Sequence, residues 1–338
     1  MAKTVTVVIA VLVIIGGAMA TSKGRREGQR GDIKVTHLNE LYEEMEDIMK
    51  HSILTKEELK QDIKNRKAEE KAKEKEEKAR KEPVVKRRIF VIKFEGDVKA
   101  EGVDSLAQEI TTILTLATPN DEIFVHVESP GGQVHGYGLA AAQLSRVRDK
   151  GIPLTISVDK VAASGGYMMA CIANKIIAAP FAIVGSIGVV AELPNFNRLI
   201  RKMDVDYDVY TAGQFKRTVT VLGENTEEGK KKFIEEIEET HQLFKALVST
   251  NRPQLDMDII ATGEHWYGTQ AIELKLVDEL CTSDDYLYSA SKDADLFEVK
   301  YEIKRSMADK LGFAMEGTLN RVLSKWWGEL NARGKNVI

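Results

Sequence analysis

In the middle of the chain, short apolar runs alternate with longer amphipathic segments. The runs at residues 89–94, 123–127 and 154–158 are rich in β-branched residues and typical of buried strands. Residues 104–117 and 136–148, which lie between these runs, repeat their apolar positions with the period of a helix. This alternation predicts an α/β domain with a largely parallel sheet.

The same pattern predicts helices further along the chain. Residues 164–171 form a short helix after a turn of small residues, and residues 227–250 form a long one. Residues 286–338 are predicted to be a helical extension, and its last helix, at 307–331, carries an apolar stripe. The stripe consists of Leu311, Met315, Leu319, Val322, Leu323, Trp326 and Trp327. Such a stripe is typical of a core or subunit contact, and its adjacent tryptophans leave a membrane-surface helix as the alternative.

Near the N-terminus, an uncharged apolar segment at residues 4–20 is close to the length that spans a bilayer core. Two interpretations are open: a transmembrane anchor at residues 1–22, or a cleaved signal peptide that ends at Ala-Met-Ala, residues 18–20. A signal peptide carries its positive charge before the apolar core. Here one lysine precedes the core and four basic residues follow it: Lys3 before, and Lys23, Arg25, Arg26 and Arg30 after. The charges therefore favour a retained anchor. The positive-inside rule would then place the chain after residue 22 in the cytoplasm, although the side of the membrane is left open here.

Residues 37–80 are predicted to be helical, first amphipathic and then dominated by lysine and glutamate. The charged run at residues 56–82 has almost no large apolar residues, so it cannot bury a core. Its Glu and Lys pairs at i,i+4 support an exposed helix, with disorder as the alternative. We interpret residues 23–84 as a juxtamembrane stalk that ends near Pro83, and residues 85–285 as the globular domain.

Composition excludes several classes of function. The net charge of −4 over 338 residues argues against a nucleic-acid binder, which needs a basic surface. The two cysteines, Cys171 and Cys281, are too few for a disulfide framework. The sequence contains neither paired cysteines nor an HExxH spacing, so we expect no metal and no cofactor.

Candidate chemistry begins at Ser164, which stands in AASGGY at residues 162–167. The small residues before it and the two glycines after it suit a tight strand-to-helix turn that exposes the hydroxyl. Lys216, in GQFKR at residues 213–217, is the predicted general base, as in known Ser-Lys pairs. Only a neutral lysine can take the proton, and burial or a nearby cation such as Arg217 favours the neutral form.

Two further loops are rich in glycine. The first is SPGG at residues 129–132, which follows the predicted strand at 123–127 and lets the backbone approach a ligand closely. The second is GSIGV at residues 185–189, which lies between the serine and the lysine. Each loop alone is equally compatible with a plain turn.

Along the chain the four motifs follow the order SPGG, AASGGY, GSIGV and GQFKR. In that order they resemble the motifs of the signal peptide peptidase A family of serine proteases, over roughly residues 88–285. The resemblance makes residues 85–285 a protease domain with a ClpP/crotonase-type spiral of repeated ββα units. It also implies a homo-oligomer whose active sites face an enclosed space, and a location at the bacterial inner membrane.

The resemblance assigns roles to individual residues as well. Ser164 is the expected nucleophile and Lys216 the expected base, from one subunit or from adjacent subunits. Gly165 and one of Gly131 and Gly132 are expected to supply the N–H groups of the oxyanion hole. Ser186 is expected to orient the lysine amine through a hydrogen bond.

Related ClpP-type proteases use Ser-His-Asp, which makes three histidines alternative candidates for the general base. His241 is the first histidine after Ser164, and it lies in a charged helical stretch far beyond the place such a triad would give it. His126 and His135 lie near the glycine loop in the sequence, but a packed or surface role is the more common one for such residues. None of the three is assigned as the base.

The sequence therefore predicts a membrane-anchored serine endopeptidase that hydrolyses extended peptides, such as remnant signal peptides or damaged membrane proteins. Its expected partners are peptide substrates, the lipid bilayer and further copies of the chain. Two alternatives are kept: a crotonase-like enzyme that processes acyl-CoA, and a non-catalytic membrane scaffold. A crotonase-like enzyme is expected to work without a serine-lysine pair, and a scaffold would be inert toward serine-directed probes.

Overall fold

The computed structural model describes residues 31–79 and 86–302. One compact unit spans Lys34–Lys300, and a second includes the described residues 31–33 and 301–302. The predicted anchor and the predicted helix at 307–331 lie outside the described residues. Within the described ranges, no helix is both long enough and apolar enough to cross a membrane.

The main sheet contains seven strands: β1 (Asp32–His37), β2 (Arg88–Glu95), β3 (Glu122–Glu128), β4 (Leu154–Val158), β6 (Lys175–Ala178), β9 (Glu279–Leu280) and β10 (Asp295–Glu302). Their order is β1-β10-β2-β3-β4-β6-β9, and every pairing from β10 to β9 is parallel. Side chains such as Val91, Phe124 and Ile156 have no exposed surface, as expected for strands covered on both faces. The predicted α/β architecture with a largely parallel sheet is confirmed.

A second, smaller sheet contains β5 (Val161–Ala163), β7 (Ile183–Gly185) and β8 (His265–Tyr267). β5 pairs with β7 in parallel, and β7 pairs with β8 in antiparallel orientation, so this sheet is mixed. Ala163 is the register partner of Gly185. The residues that follow these two strands therefore lie at the same end of the sheet.

The helices of the described ranges are α1 (Leu38–Ile53), α2 (Lys56–Ala79), α3 (Val103–Leu114), α4 (Val134–Asp149), α5 (Gly165–Ala170), α6 (Asn197–Lys202), α7 (Glu227–Asn251), α8 (Met257–Ile260), α9 (Gly268–Ala271) and α10 (Ser283–Ala290). α3 buries Leu106, Ile110 and Ile113 on one face, which follows from their helical spacing. The helices predicted at 104–117, 136–148, 164–171 and 227–250 are confirmed, with ends that differ by a few residues.

The predicted helix at 37–80 is in fact two helices. Thr55 separates them by a reciprocal cap: Glu58 N–H donates to Thr55 Oγ1 at 3.4 Å, and Thr55 N–H donates to a Glu58 carboxylate oxygen at 2.8 Å. The ion pairs Lys50–Asp62 at 3.0 Å and Arg66–Asp47 at 2.8 Å then hold α1 against α2. The part of the predicted stalk at Leu38–Ala79 is therefore a helical hairpin.

β1 and β10 were not predicted. β10 lies in the segment assigned to a helical extension, and that assignment is wrong for Asp295–Glu302. The pairing of Leu296 with Ile89 in β2 determines the strand, and these residues are far apart in sequence. Asn39 adds a second distant contact, because its side-chain oxygen accepts the Leu296 N–H at 2.7 Å. No local pattern of apolar residues carries this information.

Candidate active site

Ser164 lies at the junction of β5 and α5 with an unusual backbone conformation. Its φ of 50° and ψ of −115° lie in a region that residues other than glycine rarely adopt. Two hydrogen bonds hold the turn: Ser164 N–H donates to Gly185 O at 2.8 Å, and Met168 N–H donates to Ser164 O at 2.9 Å. A strained serine between a strand and a helix is the local geometry of a nucleophile elbow.

The two glycines after Ser164 are required by close packing. A Cβ atom on Gly165 would lie 2.3 Å from Tyr137 Cγ, and one on Gly166 would lie 2.6 Å from the Ser129 carbonyl oxygen. Both distances are shorter than any normal contact, so larger residues would push α5 away from α4 and from the SPGG loop. The sequence AASGGY thus places the serine against that loop.

The SPGG loop is attached to β5 by its first residue. Ser129 N–H donates to Val161 O at 2.8 Å, and Ala163 N–H donates to Ser129 O at 3.0 Å. Gly131 follows with φ of +92°, and a Cβ atom there would lie 2.7 Å from both Ser164 Cβ and Gly165 N. The loop backbone therefore lies directly beside the serine.

The two glycines of this loop differ in their hydrogen bonding. Gly131 N–H already donates to Ser129 Oγ at 3.1 Å. Gly132 is packed against the backbone of Val98, because a Cβ atom on it would lie 2.2 Å from the Val98 carbonyl oxygen. Within the described residues, we find no acceptor for the Gly132 N–H.

Ser186 lies beside Ser164 at the same end of the small sheet. It follows β7 with φ of 53°, and its N–H donates to Glu264 O at 2.7 Å. Because Ala163 and Gly185 are register partners and Ser164 N–H donates to Gly185 O, Ser164 and Ser186 lie close together at the ends of paired strands.

Both serines line one cavity of about 570 Å³, together with Gly131, Gly132 and Gly165. Its walls combine the apolar side chains of Val134, Met168, Val189, Val190 and Phe244 with the polar side chains of Thr240, His241 and Thr262. The structure therefore brings five of the six predicted site residues together. The volume is sufficient for a few side chains of a peptide.

Lys216, the sixth predicted residue, does not line this cavity. It lies in an exposed turn in which its N–H donates to Gly213 O at 3.2 Å. Its neighbour Phe215 is 43% exposed, so the apolar shelter expected around the lysine is not formed within one chain. A single chain does not place the predicted base beside the predicted nucleophile.

Sequence reasoning did not place His241 at the site, yet it lines the cavity from α7. Its Nε2 atom lies 3.2 Å from the Ile187 carbonyl oxygen, and only the protonated nitrogen can donate to that acceptor. A signal was present in the sequence: His241 precedes Phe244 by three positions and Val248 by seven, so the three share a helix face, and both apolar residues are buried.

The other two histidines considered as bases, His126 and His135, lie outside the cavity. His126 belongs to β3, and its Nε2 atom lies 3.5 Å from the Asp159 carboxylate. His135, near the start of α4, is exposed. Neither lines the cavity that contains Ser164.

Comparison with known proteins gives a consistent result over nearly the whole chain. Residues 146–297 match the sequence profile described as "Peptidase family S49", and residues 1–144 match that of "Peptidase family S49 N-terminal". A "Probable protease SohB" from Haemophilus influenzae is 48% identical over 333 residues, which are 96% of this chain and 93% of the relative. A protein of the same description from Buchnera aphidicola is 49% identical over 240 residues, 71% of each chain.

Among solved structures, the chain is similar to a 1510-N membrane-bound stomatin-specific protease. The TM-score is 0.40 and the sequence identity 14%, over 61% of this chain and 85% of that one.

Proposed function

The chain belongs to peptidase family S49 and is a serine peptidase, and from that premise we propose that it is a membrane-anchored endopeptidase with a Ser164-Lys216 dyad. The observation that carries the proposal is the shared cavity, in which a strained serine meets the two glycine loops. Residues 1–22 are the proposed anchor in the bacterial inner membrane, on the grounds of their length and lack of charge.

In the first step, Ser164 Oγ attacks the carbonyl carbon of a substrate peptide, and the Lys216 amine accepts the hydroxyl proton. The tetrahedral intermediate carries negative charge on the former carbonyl oxygen. Preorganised N–H groups stabilise that charge, and the loss of one typically costs about 3–4 kcal/mol. Gly132 and Gly165 are the proposed donors, because the Gly131 N–H is already bonded to Ser129.

In the second step, the protonated Lys216 gives its proton to the leaving amine as the C–N bond breaks. The resulting acyl ester on Ser164 is then hydrolysed by water, again with the lysine as base. Ser186, which lies beside Ser164, is the proposed hydrogen-bond partner that holds the lysine amine in place.

For this chemistry, Lys216 must come from a neighbouring copy of the chain or must move. We favour the neighbouring copy, because the segment that carries the lysine exposes many apolar side chains. This segment, residues 190–222, is here called the arm. Its exposed members are Val190, Leu193, Phe196, Leu199, Met203, Val205, Tyr207, Val209, Tyr210 and Phe215. Contact with a second chain would bury these side chains and shelter the amine.

The proposed substrates are extended peptides with apolar side chains, which could contact Met168, Phe244 and the valines of a cavity wall that also has polar members. Remnant signal peptides and fragments of damaged membrane proteins fit this description, and an anchored enzyme would meet both at the bilayer.

The direct test uses a fluorophosphonate probe on the full-length protein in detergent or vesicles. Wild type should be labelled and should hydrolyse apolar peptides, whereas Ser164→Ala should do neither. Lys216→Ala should fold normally and lose peptide hydrolysis by several orders of magnitude, because the serine hydroxyl then has no base. Lys202→Ala, which removes another exposed lysine of the arm, is the matched control and should retain activity.

Two outcomes would contradict the proposal. Labelling that persists in Ser164→Ala would remove the nucleophile assignment, and near-normal hydrolysis by Lys216→Ala would remove the base assignment. Thioester hydrolysis in the absence of any labelling would instead favour an acyl-CoA enzyme.

A further inference from the structure

Tyr137 lies beneath the loops that surround Ser164. It belongs to α4, and its side chain has no exposed surface. Its ring fills the space beside Gly165, where an added Cβ atom would lie 2.3 Å from Tyr137 Cγ and 2.5 Å from Cδ2. The ring therefore fixes the backbone on one side of the serine, at the amide proposed as an oxyanion donor.

The Tyr137 hydroxyl makes two short contacts. It donates to the Asp97 carbonyl oxygen at 2.7 Å, and it lies 2.5 Å from Ser129 Oγ. A phenol has one proton, and a carbonyl oxygen can only accept. The Tyr137 proton is therefore directed to Asp97, so the Ser129 hydroxyl must donate to the Tyr137 oxygen.

The direction of this bond determines the next one. With its proton directed to Tyr137, Ser129 Oγ presents a lone pair to the Gly131 N–H, which donates to it at 3.1 Å. A directed chain of hydrogen bonds thus runs from Gly131 N–H through Ser129 and Tyr137 to the Asp97 carbonyl. Burial raises the pKa of the Tyr137 phenol, so the phenol keeps the proton on which the chain depends.

This chain of hydrogen bonds occupies the Gly131 N–H, which would otherwise compete with the Gly132 N–H for the oxyanion. It also fixes the orientation of the Pro130–Gly131 peptide, and with it the left-handed φ of +92° at Gly131. The direction of the following amide, that of Gly132, depends on that conformation.

We propose that Tyr137 is the positioning residue of the oxyanion site, which holds the Gly131–Gly132 loop through Ser129 and the Gly165 amide through its ring. The inference rests on the proposed function, because it concerns donors for a serine acyl-transfer step. Tyr137 itself touches neither the substrate nor the reacting atoms, and it acts only through these two supports.

The test compares Tyr137→Phe and Ser129→Ala with wild type in steady-state peptide hydrolysis. Each variant breaks the hydrogen-bond chain at a different atom, and Ser129→Ala leaves the ring untouched if the tyrosine variant folds poorly. We expect kcat to fall about tenfold with KM changed less than about twofold, since a misaligned donor weakens transition-state binding selectively. The rate of fluorophosphonate labelling should fall by a similar factor.

Tyr167→Phe is the matched control. Tyr167 is also fully buried, and its hydroxyl also donates to a carbonyl oxygen, that of Leu276 at 2.8 Å. Among the described residues, this hydroxyl forms no hydrogen bond to the glycine loop. Its removal should lower thermal stability to a similar degree and leave kcat unchanged. The double variant Ser129→Ala/Tyr137→Phe should lose no more activity than either single variant, because both break one chain.

Wild-type kcat in both Tyr137→Phe and Ser129→Ala would overturn the positioning role, as would an equal loss of kcat in Tyr167→Phe. These results leave the proposed function intact if wild type is labelled at Ser164. If wild type is neither labelled nor active, the proposed function and this inference both fail.

Discussion

Backbone strain at single residues marks the candidate site. Ser164 and Ser186 have φ values of 50° and 53°, and they follow the two strands that are paired in the small sheet. Each such conformation costs on the order of 1–3 kcal/mol in a residue other than glycine. Backbone hydrogen bonds to Gly185 O and Glu264 O hold the two turns in place. The fold therefore maintains strain where two hydroxyl groups meet a cavity.

Gly131→Ala should greatly slow the labelling of Ser164. The new methyl group would lie 2.7 Å from Ser164 Cβ and from Gly165 N, and φ is +92°, so the loop must move away from the serine. We expect a labelling rate at least about 100-fold lower, as for the loss of an oxyanion donor. The measurement is the rate of fluorophosphonate incorporation.

Gly151→Ala separates crowding from backbone strain. Gly151 also has a left-handed φ, +70°, but a Cβ atom there would meet nothing within 4 Å. Both variants should lose about 1–2 kcal/mol of unfolding free energy from the left-handed backbone, and only Gly131→Ala should lose labelling. Equal labelling of the two variants would show that the loop is not held against the serine.

At the scale of elements, an ion pair ties the start of β2 to the turn before β3. Arg88 Nε and Nη2 donate to the two oxygens of Asp121 at 2.8 and 2.7 Å, and Thr118 N–H donates to the same carboxylate at 2.8 Å. Burial alone would raise the pKa of Asp121, but these donors hold it at about 2. The carboxylate therefore stabilises the folded state in its charged form.

Asp121→Asn should change how stability depends on pH. Because the folded pKa lies below the unfolded value of 3.8, the stabilisation is fully present above about pH 4 and is lost as the pH falls toward 2. The wild type should therefore lose unfolding free energy more steeply over this window than the variant. At pH 7 the variant should be less stable by on the order of 2 kcal/mol.

Chemical denaturation at pH 7 and at pH 3 measures this difference. Asp293→Asn is the control, because Asp293 is exposed and its change should leave the pH dependence of stability as in wild type. An Asp121→Asn curve that is parallel to the wild-type curve would contradict the contribution of the ion pair.

At the scale of the whole molecule, the arm is an exposed apolar surface that we propose binds a second copy of the chain. Tyr210 is 92% exposed and Val190 is 82% exposed. The arm is nevertheless held in a defined conformation, because Asn195 Nδ2 donates to Thr220 O at 2.9 Å and Asn197 Nδ2 donates to Leu222 O at 2.8 Å. An ordered apolar surface that leaves from the rim of the cavity is suited to a second copy of the chain.

A mixture of Ser164→Ala and Lys216→Ala chains should regain activity that neither variant has alone. If each site takes its serine from one chain and its lysine from the next, random co-assembly restores about a quarter of wild-type activity per site. The measurement is peptide hydrolysis after the two purified proteins are dissociated and reassembled together. Replacement of Tyr210 and Val190 by aspartate should prevent the recovery and reduce the oligomer to smaller species.

Absence of recovery in an intact oligomer would show that the serine and lysine of each site come from one chain. The lysine would then have to reach Ser164 by movement of the arm. A monomer with full activity would exclude the shared site altogether.

The parts of this protein that the sequence predicted are those that depend on neighbouring residues. The strands β2 to β4, the helices α3, α4 and α7, and the turn at Ser164 follow from local periodicity, small residues and glycine. The prediction that Ser164, Ser186 and the glycine loops lie together rests on the resemblance of their motifs to a protease family. The structure places these residues in one cavity.

Other features were decided only by the tertiary structure. β10 forms because Leu296 meets Ile89, His241 reaches the cavity through the packing of α7, and Tyr137 meets Ser129 by the approach of α4 to the loop. Each of these contacts brings together residues of two different elements that are distant in the sequence. Periodicity along the chain does not tell which elements pack against each other. The structure also decided that Lys216 lies in an exposed turn and does not line the cavity that contains Ser164. Local sequence thus determined most of the central elements and the turn at Ser164, and long-range packing determined β10 and the groups that surround the serine.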